Sequence, residues 1–145
     1  MLAGPLVRKR KTEKRYKQYA RQRTNDCDFC EFSTDLDHVI AEYPHFWVVT
    51  NMFSYDIWDG ISVVEHLMVV PKRHVDGIGH FGGAESKEFL KIISQYESDG
   101  YSIYARAAQN IAKSIPHQHT HLIKLGNKKA RALLFVHKPH VLRYF

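Results

Sequence analysis

Hydrophobic and polar positions alternate through the middle of the chain in a pattern that predicts a β-sheet with one helix. The predicted strands are Val39–Glu42, Phe46–Thr50, Leu67–Val70, Tyr101–Tyr104, His117–Lys124 and Ala132–Val136. Between the third and fourth of these strands, apolar residues recur at helical spacing from Phe89 to Tyr96. This stripe predicts one amphipathic helix that ends at Asp99-Gly100.

The order of these elements predicts an α+β fold. Strands outnumber helices, and short turns between neighbouring strands favour a mostly antiparallel sheet. Two segments are expected to be loops, the aromatic-rich Asn51–Gly60 and the glycine-rich Gly77–Gly83.

The composition is that of an ordinary single globular domain. The chain has 145 residues, of which 44% are hydrophobic and 25% are charged. Two cysteines are too few for a secreted disulfide framework. No window approaches the roughly 18 apolar residues that a membrane-spanning helix requires. We therefore expect a soluble, cytoplasmic protein without membrane association.

The net charge of +6 is concentrated near the N-terminus. Residues 8–23 contain nine of the 21 basic residues and one acidic residue, Glu13, whereas the rest of the chain has 12 basic and 14 acidic residues. We therefore expect residues 1–23 to form a basic arm or short helix. Residues 24–145 are expected to form the folded domain.

The basic arm has two interpretations. Its cations could contact the phosphates of a nucleic acid or another anionic surface, because charge of this density attracts polyanions. Alternatively, it is a solvated helix that docks through Tyr16, Tyr19 and Ala20, which share one helical face. The second interpretation is favoured because the segment shows no RNA-binding module.

Three histidines, His117, His119 and His121, alternate along one predicted strand. A strand places alternate side chains on one face, about 6 to 7 Å apart. Each imidazole has two ring nitrogens that need partners, so three on one face are costly as packing material. The row suits metal ligands, phosphate ligands, or a nucleophile with supporting donors.

Cys27 and Cys30 form a Cys-x-x-Cys pair, which is half of a tetrahedral zinc site. His74 and one histidine of the triad could complete it. A redox pair is a second alternative, although the thioredoxin-like βαβ context it requires is absent. Two inert, buried thiols are the third.

The segment His66-Leu-Met-Val-Val-Pro-Lys-Arg-His74, taken with the downstream triad, resembles the signature of the histidine triad (HIT) superfamily. Ser114-Ile-Pro, which precedes the triad, is similar to the Hint-like branch. The resemblance covers roughly residues 27–123 and implies a HIT-like catalytic domain in a homodimer. It also implies a nucleotide hydrolase or transferase acting on nucleoside phosphoramidates, adenylates or dinucleoside polyphosphates.

By position, His119 resembles the nucleophile that attacks the α-phosphorus and forms a covalent nucleotidyl-histidine. The catalytic residues that the resemblance implies are His66, Ser114, His119 and His121. The nucleotide-binding residues that we expect are Asn51, Phe53, Arg106, Ser114, His119 and His121. Asn51 could instead be a turn former, and His66 and His121 could be satisfied core histidines.

In zinc-bearing relatives, the first triad histidine joins the Cys-x-x-Cys pair and an upstream histidine. The resemblance therefore implies a structural zinc ion on Cys27, Cys30, His74 and His117, which leaves His119 free. A metallohydrolase with all three triad histidines on zinc is the chemical alternative. The functional alternative is a non-catalytic nucleotide-binding or nucleic-acid-associated, zinc-stabilised protein.

The sequence departs from the family pattern around the expected pocket. Glu65 stands where glycine is usual, and Gln118 and Thr120 stand where apolar residues are usual. The reverse face of the triad strand is therefore expected to be exposed or packed through polar contacts. Arg106 replaces an asparagine, and an arginine there could clamp a phosphate or a larger anion.

Overall fold

A computed structural model describes residues 7–23, 27–130, 132–135 and 141–144. Within these residues, the helices are α1 (Arg10–Gln22) and α2 (Gly83–Ser98). The strands are β1 (Val39–Glu42), β2 (Phe46–Thr50), β3 (Ile57–Trp58), β4 (Ile61–Pro71), β5 (Tyr101–Ala105), β6 (Thr120–Lys129), β7 (Ala132–Phe135) and β8 (Val141–Tyr144). No helix in these ranges is long and apolar enough to cross a membrane.

The main sheet has the strand order β1-β2-β4-β6-β5, with β3 paired to the start of β4. All of these pairings are antiparallel. The long strand β4 is central, because it pairs with β2 over its second half and with β6 along most of its length. Strands β7 and β8 form a separate antiparallel pair. The predicted α+β class with a mostly antiparallel sheet is confirmed.

Both faces of the sheet are covered, which explains the continuous apolar runs of β2 and β4. On one face, Phe46 and Val48 pack with Phe89 and Ile92 of α2. On the other face, alternate residues such as Trp47 and Val49 pack with Phe29, from a segment before β1. This second face also carries the candidate site.

Most of the predicted elements are confirmed, but the triad strand begins later than predicted. Strand β6 starts at Thr120 and not at His117, so the three histidines do not form one strand face. The Gln118 N–H donates to the Val75 carbonyl oxygen at 2.6 Å, outside the sheet ladder. The Pro71 carbonyl oxygen, at the end of β4, accepts from the His117 ring.

The expected loop Asn51–Gly60 contains a short strand, β3, so the loop prediction is wrong there. A tight turn at Asp59-Gly60, with φ of 50° and 73°, folds β3 back onto β4. An Asp-Gly pair between apolar residues is a strong hairpin signal, and it was available in the sequence. The expected loop Gly77–Gly83 holds a 3-10 turn, Ile78–His80. Val136 of the predicted last strand lies outside the described residues.

Helix α1 docks on the domain through aromatic side chains. The rings of Tyr16 and Tyr19 lie 5.5 and 5.1 Å from the Phe53 ring, centroid to centroid. These two residues share the helical face that the sequence predicted for docking. The short N-terminal basic helix is therefore confirmed, and it covers the loop that follows β2.

Candidate active site and metal centre

A cavity of about 440 Å³ opens on the face of the sheet that carries Met68. Its walls come from the α1 region, the segment 28–32, the loop after β2, the end of β5 and the triad segment. The predicted nucleotide-binding residues that line it are Asn51, Phe53, Arg106, Ser114, His119 and His121. A cavity of this volume is in the range of small-ligand sites.

The ring of His119 presents an unprotonated nitrogen at this cavity. Its Nδ1 lies 2.8 Å from the His117 carbonyl oxygen, which can only accept, so Nδ1 carries the hydrogen. The lone pair is therefore on Nε2. Burial is the main cause that lowers the pKa of His119 to about 4, so the ring is neutral at pH 7.

His121 has the opposite tautomer, set through His66. The Tyr55 N–H donates to His66 Nδ1 at 2.9 Å, so His66 carries its hydrogen on Nε2. That N–H donates to His121 Nδ1, also at 2.9 Å, which leaves an Nε2–H donor on His121. Burial lowers the pKa of His66 to about 3, and burial with the neighbouring His119 lowers the pKa of His121 well below its usual value.

His66 is buried behind His121 and is not among the residues that line the cavity. It contacts three residues that do line the cavity, because its Nε2 lies 2.9 Å from His121 Nδ1 and 3.3 Å from Asn51 Nδ2 and its Nδ1 accepts from the Tyr55 N–H. The residue before His66 is Glu65, which stands where the family pattern has glycine. The Glu65 carboxylate accepts a hydrogen bond from the Tyr101 hydroxyl, so it does not compete for the ring nitrogens of His66.

Aromatic residues that the sequence did not single out hold the histidine pair. The Tyr55 ring packs on His66 at 4.4 Å and on His121 at 5.4 Å, centroid to centroid. Tyr104 stacks on His121 at 5.8 Å with 21° between the ring planes. Trp58 stacks on the far side of Tyr55 at 5.4 Å. The only sequence signal for this support was the aromatic content of the loop after β2.

Arg106 brings a positive charge to the cavity. Its Nη1 donates to the Ala112 carbonyl oxygen at 2.6 Å and its Nη2 lies 3.3 Å from the Tyr55 hydroxyl. Ser114 lies at the same cavity and is exposed. A neutral imidazole with a free ring nitrogen, an N–H donor and a guanidinium thus line one cavity, and this combination is suited to a phosphate group.

Asn51 forms a turn as well as lining the cavity. Its Oδ1 accepts from the Phe53 N–H at 2.9 Å, and its carbonyl oxygen accepts from the Ser54 hydroxyl at 2.8 Å. Its N–H donates to the His66 carbonyl oxygen at 2.9 Å. The turn-forming alternative therefore describes what its oxygens do, whereas its side-chain amide nitrogen lies 3.3 Å from His66 Nε2.

The four predicted metal ligands come together in the structure. The candidate ligand atoms of Cys27, Cys30, His74 and His117 lie within 4.8 Å of one another. The Cys27 Sγ to His117 Nδ1 distance is 3.3 Å, and that from Cys30 Sγ to His74 Nδ1 is 3.2 Å. Tetrahedral zinc with ordinary bond lengths separates a sulfur and a nitrogen ligand by about 3.6 Å. The donor set and its spacing therefore fit zinc.

The backbone orients one of these ligands for metal binding. His117 Nε2 lies 2.8 Å from the Pro71 carbonyl oxygen, so it carries the hydrogen and leaves the Nδ1 lone pair for a metal.

The alternative of a redox-active cysteine pair requires a thiol whose pKa is lowered. Partial burial and the neighbouring Cys27 instead raise the pKa of Cys30 to about 11, which does not favour that alternative.

The cluster also bears on the alternative of a triad metallohydrolase. In the described part of the chain, the metal-ligand group includes His117 but neither His119 nor His121. His119 and His121 instead pack edge to face at 5.1 Å on the cavity side. The triad is thus divided between two sites, with one histidine at the metal cluster and two at the cavity.

The reverse side of the triad segment is packed through polar contacts and is not exposed. Gln118 and Thr120 are each 1% exposed. The Gln118 amide reaches the Thr120 hydroxyl at 3.4 Å, and its oxygen accepts from Lys113 at 3.1 Å. Of the two outcomes expected for this departure from the family pattern, the polar-packed one is confirmed.

The fold is similar to solved histidine triad proteins, although no protein-family model and no curated protein matches the chain. A HIT family hydrolase from Legionella pneumophila Philadelphia 1 is 18% identical, with a TM-score of 0.50 over 71% of this chain and 94% of its own. A histidine triad protein from Clostridium difficile is 19% identical, with a TM-score of 0.51 over 74% and 95%. A HIT family hydrolase from Clostridium thermocellum is 14% identical, with a TM-score of 0.53 over 73% and 95%. The predicted HIT-like fold is therefore confirmed.

Proposed function

We propose that this chain is a histidine triad enzyme, of the Hint-like branch, that hydrolyses or transfers a nucleotide at its α-phosphate. The observation that carries the proposal is the pair of opposite tautomers at one cavity. His119 offers a lone pair on Nε2, whereas His121 offers an N–H. A nucleophile beside a donor is the arrangement that covalent phosphoryl transfer needs.

In the proposed reaction, His119 Nε2 attacks the α-phosphorus while the bond to the leaving group breaks. The leaving group departs with the bonding electrons and takes up a proton from solvent water, and a nucleotidyl-His119 remains. Water, or the hydroxyl of a second acceptor, then attacks the same phosphorus, the bond to Nε2 breaks with its electrons returning to the imidazole, and the proton of the attacking group passes to solvent. The His121 N–H and the Arg106 guanidinium stabilise the negative charge that develops on the phosphate oxygens. Ser114 lines the same cavity, and its hydroxyl would donate to the leaving group.

The substrates that fit this chemistry are nucleoside phosphoramidates, adenylates and dinucleoside polyphosphates, because each joins a leaving group to an α-phosphate. The chain would be a phosphoramidase or a diadenosine polyphosphate hydrolase by type.

We also propose that Cys27, Cys30, His74 and His117 hold a structural zinc ion. When bound, zinc would supply a cross-link between the segment before β1 and the triad segment. The Phe29 ring, between the two cysteines, packs on the His119 ring at 5.2 Å and on the His117 ring at 5.9 Å. The cluster thereby holds the nucleophile in place without contacting substrate.

The test is release of a fluorescent amine from an adenosine 5′-phosphoramidate by wild type and His119→Ala. We expect turnover in wild type and a loss on the order of 10³ or more in the variant, because the covalent step is removed. His80→Ala is the matched control, since its side chain is 66% exposed and pairs with Asp76 on the surface. Equal turnover in wild type and His119→Ala would contradict the proposal. No turnover of any of the three substrate classes would favour a non-catalytic nucleotide-binding protein.

A further inference from the structure

The basic arm forms part of the wall of the candidate active site. Arg8, Tyr16, Tyr19 and Arg23, all outside the segment that resembles the histidine triad family, line the same cavity as His119. A helix that merely docked on the domain surface would place no side chains beside the reacting groups. The arm therefore takes part in enclosing whatever binds there.

Arg8 is the cation of the arm that is held most firmly. Its side chain is 9% exposed, and its Nε donates to the Phe53 carbonyl oxygen at 2.8 Å. The guanidinium carbon lies 4.5 Å from the centre of the Tyr16 ring and 5.1 Å from that of the Tyr55 ring. A planar guanidinium between two rings is fixed in orientation, so little side-chain entropy is lost when it binds an anion.

The charges around the cavity leave a positive excess. Its described lining residues include the cations Arg8, Arg23 and Arg106 and one carboxylate, Asp28. Asp28 is paired with Arg23 at 3.7 Å. Arg8 and Arg106 are therefore the described lining cations that have no carboxylate partner among the residues of the cavity wall.

Arg8 and Arg106 both contact Tyr55, Arg106 at the hydroxyl and Arg8 over the ring. Arg8 is also near enough to the histidine pair that its charge, after burial, contributes to lowering the pKa of His66. The carboxylate nearest to it, Glu13, is 3.6 Å from its Nη1, which is longer than a strong charge-assisted hydrogen bond. The terminal nitrogens of Arg8 therefore keep N–H groups that can donate to a stronger anionic partner, while the guanidinium stays between the two rings.

We propose that Arg8 binds a phosphate oxygen of the nucleotide and forms, with Arg106, a two-arginine anion site. For the identity of the ligand, this inference rests on the proposed function. The arm is then part of the binding site, and its loss impairs recognition of the phosphate more than recognition of the nucleoside.

The test compares binding of the four common nucleoside 5′-monophosphates with binding of their nucleosides, measured by calorimetry. Arg8→Gln is expected to weaken monophosphate binding at least about tenfold, the usual value of a hydrogen bond to a charged group, and to leave nucleoside binding within twofold. Arg8→Lys keeps the charge and should recover part of the loss. Arg10→Gln is the control, because Arg10 is an exposed arginine at the start of α1.

Equal weakening of monophosphate and nucleoside by Arg8→Gln would overturn the inference, since Arg8 would then only shape the wall. No effect on either ligand, or a wild type that binds none of the four monophosphates, would overturn it as well. Phosphoramidate turnover is measured on the same proteins. If wild type shows turnover and Arg8→Gln binds the monophosphates as wild type does, the proposed function would stand and only the inference about Arg8 would be rejected. If Arg8→Gln weakens binding of the monophosphates alone and wild type shows no phosphoramidate turnover, the inference about Arg8 would stand and the proposed function would not.

Discussion

The histidines of this site differ in which ring nitrogen carries the hydrogen, and the backbone decides this for three of them. Carbonyl oxygens of Pro71 and His117 accept from His117 and His119, and the Tyr55 N–H donates to His66. Burial keeps His66 and His119 neutral at pH 7, so the tautomer determines what each can do. Similar side chains thus present a free ring nitrogen beside the cysteines on His117, a free ring nitrogen at the cavity on His119 and an N–H donor on His121.

The relay through His66 can be tested with His66→Phe, which keeps the ring volume but removes both nitrogens. His121 would lose the donor that fixes its tautomer, so we expect kcat to fall about tenfold to a hundredfold, as for other positioning residues. KM should change less than threefold, because His66 does not line the cavity. Steady-state kinetics on the phosphoramidate measures both values. An unchanged kcat would show that His121 is oriented without His66.

At the scale of elements, the short segment Cys27–Phe32 connects the candidate metal ligands to His119, since it carries both cysteines and its Phe29 ring packs on the His119 ring. Its 3-10 turn, Asp28–Glu31, carries Cys30 on one side and buries Phe29 on the other. Phe29 belongs to the apolar cluster on the site face of the sheet. The element has few residues of its own to hold its shape, so the proposed zinc ion would stabilise it.

Loss of one metal ligand should therefore act on stability before chemistry. Cys30→Ser is expected to abolish stoichiometric zinc binding and to lower Tm by about 10 °C, from a loss of about 3 kcal/mol. Elemental analysis and thermal melting measure the two effects. The reverse order, in which mild chelation stops turnover while Tm is unchanged, would indicate a catalytic metal instead.

The N-terminus of helix α2 is stabilised by the side chain of Glu85. The Glu85 carboxylate accepts from the Gly82 N–H at 2.7 Å and pairs with Arg73 at 2.7 Å. These contacts, Arg73 first, lower the pKa of Glu85 to about 2. A lowered carboxyl pKa means that the stabilisation is present above the ordinary value near 4.5 and is lost as pH falls towards 2.

Glu85→Gln should lower Tm by a few degrees at pH 7, because the amide oxygen can still accept from Gly82 but the charge that pairs with the half-exposed Arg73 is lost. The difference between wild type and variant should shrink as pH falls from about 4.5 to about 2, measured by thermal melting over that range. A difference that is constant with pH would show that the carboxylate charge is not involved.

At the scale of the whole molecule, much of the fold could be predicted because both faces of the sheet are buried, and burial gives recognisable patterns of apolar residues in the sequence. The i, i+3, i+4 stripe of α2 and the apolar runs of β2 and β4 each report burial directly. The start of β6 could not be predicted, because it depends on the Val75 and Pro71 carbonyl oxygens, which are distant in sequence.

The site residues that belong to a short sequence motif could be predicted, and those without a motif could not. The Cys-x-x-Cys pair, His74 and His117 do meet, as the resemblance implied. Tyr55, Tyr104 and Arg8 have no motif, since their roles come from how the loop after β2 and the arm fold over the triad. The homodimer and a nucleic-acid partner for the exposed face of α1 stay predictions.

The central claim is that His119 is a nucleophile, and trapping the covalent intermediate tests it most directly. Wild type is mixed with an adenosine 5′-phosphoramidate, quenched within milliseconds at alkaline pH, where a phosphoramidate bond to histidine survives, and analysed by peptide mass spectrometry. We predict an added nucleotidyl group on the peptide that contains His119, and none in His119→Ala. Turnover by wild type without an adduct at any time point, or an adduct on another residue, would contradict the account.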